Sequence, residues 1–252
     1  AIALALYGAY RGAVLVLSAD ALQVTRITVS GNARMSKGEV VALLDGLRGQ
    51  SMITADLESW RRRLLTAPWV GNAAIRRVLP GTIAVAIAER QPMGIGRLGD
   101  DLYLIDQRGT IIDQFGPHHA EIDLPIIDGL AAPPRDGGPL IDEERAALAA
   151  RLLASLHGRP DLAKRVSQVD VTDVTDASVV LEDDPAIVRL GDDEFVERLQ
   201  CYTDLAAALR ERVNEIDYVD LRFDDRIYVK PRGAGSRGPG ASVRRPGRKA
   251  GS

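Results

Sequence analysis

An α+β fold is predicted: a β-α-α-β-β module near the start, then a mixed β region with two helices. Two observations carry this. Several short runs alternate apolar and polar residues, the period of a strand with one buried face. Between them lie segments with apolar residues at i, i+3, i+4 and i+7, opened by Ser or Asp and closed by Gly or Pro, the signature of capped helices. The clearest alternation is at 215–231, E-I-D-Y-V-D-L-R-F-D-D-R-I-Y-V-K-P. There Val219, Leu221, Phe223, Ile227 and Val229 are apolar, while Asp220, Arg222, Asp224, Arg226 and Lys230 are charged. Asp224-Asp225 interrupts the pattern, which predicts two strands joined by a tight turn. The chain after Pro231 has no pattern, so Ile227 to Lys230 is expected to form a sheet edge.

Residues 1–17 are almost entirely apolar, broken by Arg11, but a span needs roughly 20 apolar residues. Two readings compete: the trailing half of a transmembrane helix, or an amphipathic helix. Tyr7, Tyr10 and Arg11 favour the first, since aromatic rings and a snorkelling cation mark a membrane interface. Thr25, Ile27 and Val29 make a strand that Ser30-Gly31-Asn32 ends as a turn. Ser36 and Glu39 form a capping box, and Val40, Leu43, Leu44 and Leu47 give a helix closed by Gly49. A second helix from about Thr54 turns Leu57, Trp60 and Leu64 inward and Arg61, Arg62 and Arg63 largely outward; Pro68 stops it. Strands at 73–78 and 82–89 come next, split by Pro80-Gly81.

Beyond Pro92, D-L-Y-L-I-D-Q-R-G-T-I-I-D reads as two short strands across Gln107-Arg108-Gly109. Residues 124–127 are extended, and a loop from Pro133 to Pro139 leads to a helix capped by Asp142, with Ala149, Leu152, Leu153 and Leu156 as its stripe. Further strands lie at 166–171, 178–181 and 186–190. A last helix starts near Asp192 or Asp193 and buries Phe195, Leu199, Tyr202, Ala206 and Leu209.

Charge is unevenly divided. The net charge is −3, yet the stretch 231–252 holds Arg232, Arg237, Arg244, Arg245, Arg248 and Lys249 with no acid. Without these six the remainder carries 26 basic against 35 acidic residues, or −9. An acidic body with a short basic tail does not read as a nucleic-acid-binding domain, and the Gly/Pro-rich tail 232–252 reads as a disordered extension. One cysteine, Cys201, makes no internal disulfide or cysteine metal cluster.

Chemical motifs are sparse. Gly94, Gly96 and Gly99 match G-x-G-x-x-G, but the adjoining Asp101 to Asp106 reads as strand where a dinucleotide site needs a helix. Adjacent His118 and His119 do not share a face of a regular element, so a metal site with Asp113, Glu121 or Asp123 is disfavoured. The acids Asp170, Asp173, Asp176, Glu182, Asp183, Asp184, Asp192 and Asp193 lack the spacing of a calcium loop and read as solvated turns and caps. With no nucleophile elbow, phosphate loop or paired-histidine helix, neither an enzyme nor a cofactor is expected.

V-S-G-N, the helix pair, P-W-V and A-I-R-R-V-L-P-G-T-I-A-V-A-I-A-E-R-Q-P resemble the POTRA domain of the bacterial division proteins FtsQ and DivIB. L-I-D-x-x-G and the later Y-V-D-L-R-F resemble the β domain that comes after it in that family. The resemblance implies a membrane segment at 1–17, a POTRA domain at 22–91, an FtsQ-type β domain at 92–231 and the tail 232–252. It also implies a non-enzymatic, single-pass inner-membrane scaffold, mostly periplasmic, at the division septum. Its expected partners are FtsB-like and FtsL-like proteins and other divisome membrane proteins, with no nucleic acid. The positions matching the family's partner surface are Arg222 and Phe223 on the hairpin's first strand, then Arg226, Ile227, Tyr228, Val229 and Lys230 on its edge, where a partner adds a strand. On the residues alone, Arg226, Lys230 and Pro231 are equally devices that guard an edge. An alternative from the POTRA resemblance is a protein-transport or outer-membrane assembly component.

Overall fold

The computed structural model describes residues 7–8, 22–132, 141–213, 215–223, 226–232 and 241–244, the last four by backbone alone. The expected membrane segment at 1–17 and the loop 133–139 fall outside them, apart from Tyr7 and Gly8. No helix among the described residues is long and apolar enough to cross a membrane. The chain divides into two compact units, 1–91 and 92–252.

In the first unit, strands β1 (Arg26–Ser30), β2 (Val70–Val78) and β3 (Thr82–Glu89) form a sheet ordered β1-β3-β2, with β1 parallel and β2 antiparallel to β3. Helices α1 (Lys37–Leu43) and α2 (Leu57–Leu64) complete the β-α-α-β-β order. The Glu39 amide donates to Ser36 Oγ at 3.2 Å while the Ser36 amide donates to the Glu39 carboxylate at 2.7 Å, the reciprocal box that satisfies two orphan donors. Helix α1 is shorter than expected. It ends at Leu43 with Leu44 as its buried cap, and Gly46, at positive φ, turns the chain so that Leu47 still reaches the core. Helix α2 begins at Leu57, capped by Asp56, a little later than the expected start near Thr54. Arg61 is not simply solvated: its Nε donates to the Ala73 carbonyl at 2.8 Å, tying α2 to β2. Glu89, in E-R-Q-P, accepts from the amides of Ala33, Arg34 and Met35 at 2.8–3.0 Å, so the motif fastens the V-S-G-N turn to the end of β3.

The second unit is built on a ten-stranded sheet. Its strands are β4 (Pro92–Leu98), β5 (Asp101–Asp106), β6 (Ile111–Gln114), β7 (Ile126–Asp128), β8 (Val166–Asp173), β9 (Asp176–Leu181), β10 (Asp184–Gly191), β11 (Ile216–Asp220), β12 (Arg226–Pro231) and β13 (Ala241–Arg244). They are ordered β13-β12-β11-β10-β9-β8-β7-β4-β5-β6. Parallel pairings join β4 to β7, β7 to β8 and β10 to β11; the rest are antiparallel. Helix α3 (Glu143–Ser155) packs on β8 and β9, the one-turn α4 (Pro160–Ala163) comes after it, and α5 (Phe195–Arg212) packs on β10 and α3. Among the described residues, the one-turn helix raises the expected two helices to three. Leu148, Leu152, Val169, Val179, Val188, Leu190 and Leu199 are fully buried between helices and sheet.

The glycines of β4 have a packing explanation. A Cβ at Gly96 would lie 2.0 Å from Ile105 Cδ1, and one at Gly94 would lie 2.5 Å from Ile127 Cδ1. The neighbouring strands therefore close over bare backbone, and β4 runs into β5, not a helix.

Helix α5 buries Phe195, Leu199, Tyr202, Ala206 and Leu209 as expected, and also Arg198, which is 6% exposed. It starts at Phe195, not at Asp192 or Asp193. Glu194 occupies the cap at φ 48° without a side-chain capping hydrogen bond, its carboxylate lying 3.7 Å from Arg198 Nη2. Arg198 supplies the missing order, donating to the Leu190 carbonyl at 2.5 Å and the Asp193 carbonyl at 3.0 Å and pairing with the Asp193 carboxylate at 2.7 Å.

Candidate partner-binding edge

Helix α5 carries the chain from the end of β10 back to lay β11 parallel beside it, with Ile187, Val188 and Arg189 opposite Tyr218, Val219 and Asp220. A parallel neighbour needs such a crossover. Strand β12 then returns antiparallel to β11, with Val219 opposite Val229 and Asp220 opposite Tyr228. Strand alternation sets the faces: Ile227 and Val229 are buried at 0% and 1% exposure, Tyr228 and Lys230 are half-buried, and Arg226 is exposed. The buried pair anchors the strand to the core of the unit. A partner reaching β12 would meet its backbone groups and the outward Arg226, Tyr228 and Lys230.

Two expectations need correction. Arg222 and Phe223 are not on the hairpin's first strand, because β11 ends at Asp220. Nor is β12 an open edge. Ala241–Arg244 pairs antiparallel with it, with Arg226 opposite Arg244, Ile227 opposite Val243, Tyr228 opposite Ser242 and Val229 opposite Ala241. Part of the tail expected to be disordered is thus a strand. Its composition hides it, since A-S-V-R offers no alternation and takes its conformation from the edge it meets. Residues 233–240 and 245–252 lie outside the described residues.

Beyond β11 the chain is held by charge. The Arg222 guanidinium grips Asp220 in a fork, Nε to Oδ1 at 2.9 Å and Nη2 to Oδ2 at 2.7 Å, while the Arg222 amide donates to Oδ1 at 3.1 Å. Arg222 Nη1 also lies 3.4 Å from Asp176 Oδ2. Arg189 Nε donates to the same Asp176 oxygen at 2.7 Å, and the Gly191 amide donates to Oδ1 at 3.2 Å. Asp176 and Asp220 are 6% and 5% exposed. Burial pushes the Asp220 carboxyl up, but the Arg222 hydrogen bonds, with Arg222 and Arg189 charges nearby, hold it below the usual carboxylate range. Asp220 in turn pushes the Arg222 guanidinium up. The two acids and two arginines form a compensated cluster tying β9, β10 and the end of β11 together.

A second buried acid fastens α5. Asp184, 5% exposed, accepts from the Tyr202 hydroxyl, from Arg210 Nη2 at 2.8 Å and from the Ala186 amide at 3.2 Å. Burial opposes its ionisation, but these donors together hold its carboxyl below the usual range. Burial first, and the Asp184 hydrogen bond next, push the Tyr202 phenol up. Asp176 and Asp184, expected as solvated turn residues, are therefore structural. Asp184 had a findable signal: it lies next to apolar strand positions, and Tyr202 and Arg210 are eight residues apart on one helix.

With its guanidinium committed to Asp220, Arg222 fixes the segment from which Phe223 projects. Phe223 is 49% exposed and meets Tyr228 edge to face, centroids 5.1 Å apart at 71°. Arg222 also lies over the Phe223 ring at 5.9 Å. Lys230 pairs with Asp217 at 3.1 Å and sits 5.5 Å from the Tyr218 ring. The result is an aromatic and cationic surface beside β12. A neighbouring groove of about 510 Å³ is lined by Asp170, Thr172, Val174, Asp176, Arg189 and Tyr218, among others. Elsewhere, His119 Nε2 lies 3.0 Å from Asp113 Oδ2, and no group of three metal-ligating side chains occurs among the described residues. Cys201 is partly buried against the core of the unit.

Comparison with known proteins matches both units. Residues 22–90 match the FtsQ-type POTRA domain, and residues 96–222 match the C-terminal domain of cell division protein FtsQ/DivIB. Among relatives, FtsQ of Syntrophotalea carbinolica is 30% identical over 232 residues, covering 90% of this chain and 80% of its own. FtsQ of Koribacter versatilis is 28% identical over 233 residues, covering 91% of this chain and 65% of its own, so the chain spans somewhat under two thirds of that relative. The extracytoplasmic domain of DivIB from Geobacillus stearothermophilus is similar over 50% of this chain and 98% of its own, at 17% identity and a TM-score of 0.32. The chain belongs to the FtsQ/DivIB family of cell division proteins.

Proposed function

We propose that the chain is a non-enzymatic scaffold of the bacterial division machinery. It is held at the inner membrane near the septum with its two units on the extracytoplasmic side, and it binds FtsB-like and FtsL-like partners to recruit and regulate septal cell-wall synthesis. The docking mode is strand addition along β12. Family membership supports the process. The observation that carries the site is the exposed Phe223, packed against Tyr228 beside a strand whose outer side is met, among the described residues, by a four-residue strand. A sheet edge gives a partner main-chain hydrogen bonds, and a rigid aromatic next to a cation is a usual energetic centre of an interface.

The test is capture of the FtsB-like protein encoded by the same genome, using the wild-type chain, Phe223→Ala and Arg226→Glu. Both side chains are exposed, so the variants keep the fold, which circular dichroism verifies. Each should weaken capture about tenfold or more, as loss of an interface anchor does. Full capture by both variants rejects the β12 site, and no capture by wild type rejects the partner assignment.

A further inference from the structure

We infer that Ala241–Arg244 is a resident occupant of the partner site, and that an incoming strand must displace it; this rests on the partner reading above. A strand has two hydrogen-bonding sides. One side of β12 is taken by β11 and the other by β13, over Arg226 to Val229. These four are among the five β12 residues assigned to the partner. Self-pairing and partner pairing are therefore mutually exclusive at the same backbone groups.

The register makes the occupant a weak one. Position 243 sets Val opposite Ile227, position 241 sets Ala opposite Val229 and position 244 sets Arg opposite Arg226. Like charges directly opposite one another destabilise a strand pair, while apolar and opposite-charge pairs stabilise it. What holds so poor a match is the covalent tether, which presents the segment at an effective concentration of the order of millimolar. The competitor that this register favours is an extended segment with large apolar residues opposite Ile227 and Val229 and an acid opposite Arg226. Such a strand wins on pairing what it lacks in tethering. The resident strand lowers affinity for every candidate by the same factor, so only a well-matched partner clears it.

Two alterations of the full chain remove the occupant by different means. One ends it after Arg232. The other, Ser242→Pro with Val243→Pro, keeps its length and basic charge. In an antiparallel pair the amides point alternately to and away from the neighbour, so one of these two faces β12 and proline abolishes it. Amide hydrogen exchange is read first, without partner. Both alterations should speed exchange at β12 amides directed away from β11; unchanged exchange overturns the inference. Affinity for the extracytoplasmic part of the FtsB-like protein is read next. A resident strand closed about 90% of the time lowers affinity about tenfold, so both forms should bind about tenfold more tightly than wild type. Tightening by truncation alone assigns the effect to charge, and unchanged or weakened binding shows that the partner does not compete for β12; each overturns this inference and leaves partner binding standing. No binding by any form overturns both.

Discussion

Replacing Asp176 by alanine tests whether the buried charge cluster holds the hairpin end of the second unit in place. Asp176 is 6% exposed and accepts from Arg189 Nε at 2.7 Å and the Gly191 amide at 3.2 Å, with Arg222 at 3.4 Å. Its removal leaves a buried amide unpaired, at about 1–3 kcal/mol, and deletes charged hydrogen bonds of about 1.5–3 kcal/mol. Arg189 and Arg222 side chains keep 32% and 33% of their exposure, so water recovers part of the second loss and the expected cost is about 3 kcal/mol, the low end for breaking a buried pair. For a unit of this size that corresponds to a fall of about 6–12 °C in Tm. The assay exploits the position of both tryptophans, Trp60 and Trp69, in the first unit. Tryptophan fluorescence follows that unit, while the tyrosine near-ultraviolet dichroism of Tyr202, Tyr218 and Tyr228 follows the second. Asp176→Ala should lower the tyrosine transition and leave the tryptophan transition in place. A fall under about 2 °C would mean that the cluster contributes no more than an exposed ion pair, and an equal fall in both signals would place the damage outside it.

Two other outcomes are expected. Gly96→Ala places a Cβ against Ile105 Cδ1 in a closed core and should cost about 1–3 kcal/mol by overpacking, read as a lower urea midpoint of the tyrosine signal alone. Acidification should destabilise the second unit through Asp184 and Asp220. Both folded carboxyls sit below their unfolded range, so their contribution is complete above the unfolded pKa of about 4 and is lost as pH falls through the lower folded values. Tm of the second unit should drop below about pH 4, and Asp220→Asn should flatten that drop; an equally steep drop in the variant excludes Asp220 as a cause.

Much of the fold was legible because local chemistry fixes it. Ser36 and Glu39 three residues apart name a helix start, and the spacing of Phe195, Leu199, Tyr202, Ala206 and Leu209 names the buried face of α5. Pairing between distant strands was not legible, since β7 slots between β4 and β8 and no residue in Ile126–Asp128 specifies either neighbour. For the candidate site, alternation in 226–230 identified the strand and its buried face. It could not reveal that Asp176, some 45 residues earlier, sits under Arg222, because ion-pair partners at that separation leave no local period. Strand β13 escaped for a related reason: a short segment with a single aliphatic β-branched residue acquires its identity only from the backbone it lies against.

The sheet order from β8 to β13 follows the order of the chain. Among the described residues, each strand on this side is thus laid against the one synthesised just before it, with α5 as a detour between β10 and β11. Newly made β12 is a hazard while its outer flank is bare, since a bare strand flank templates aggregation. The next strand the ribosome supplies is the one that covers it. Synthesis order gives β13 first access to that flank, and every later visitor arrives to find it attended.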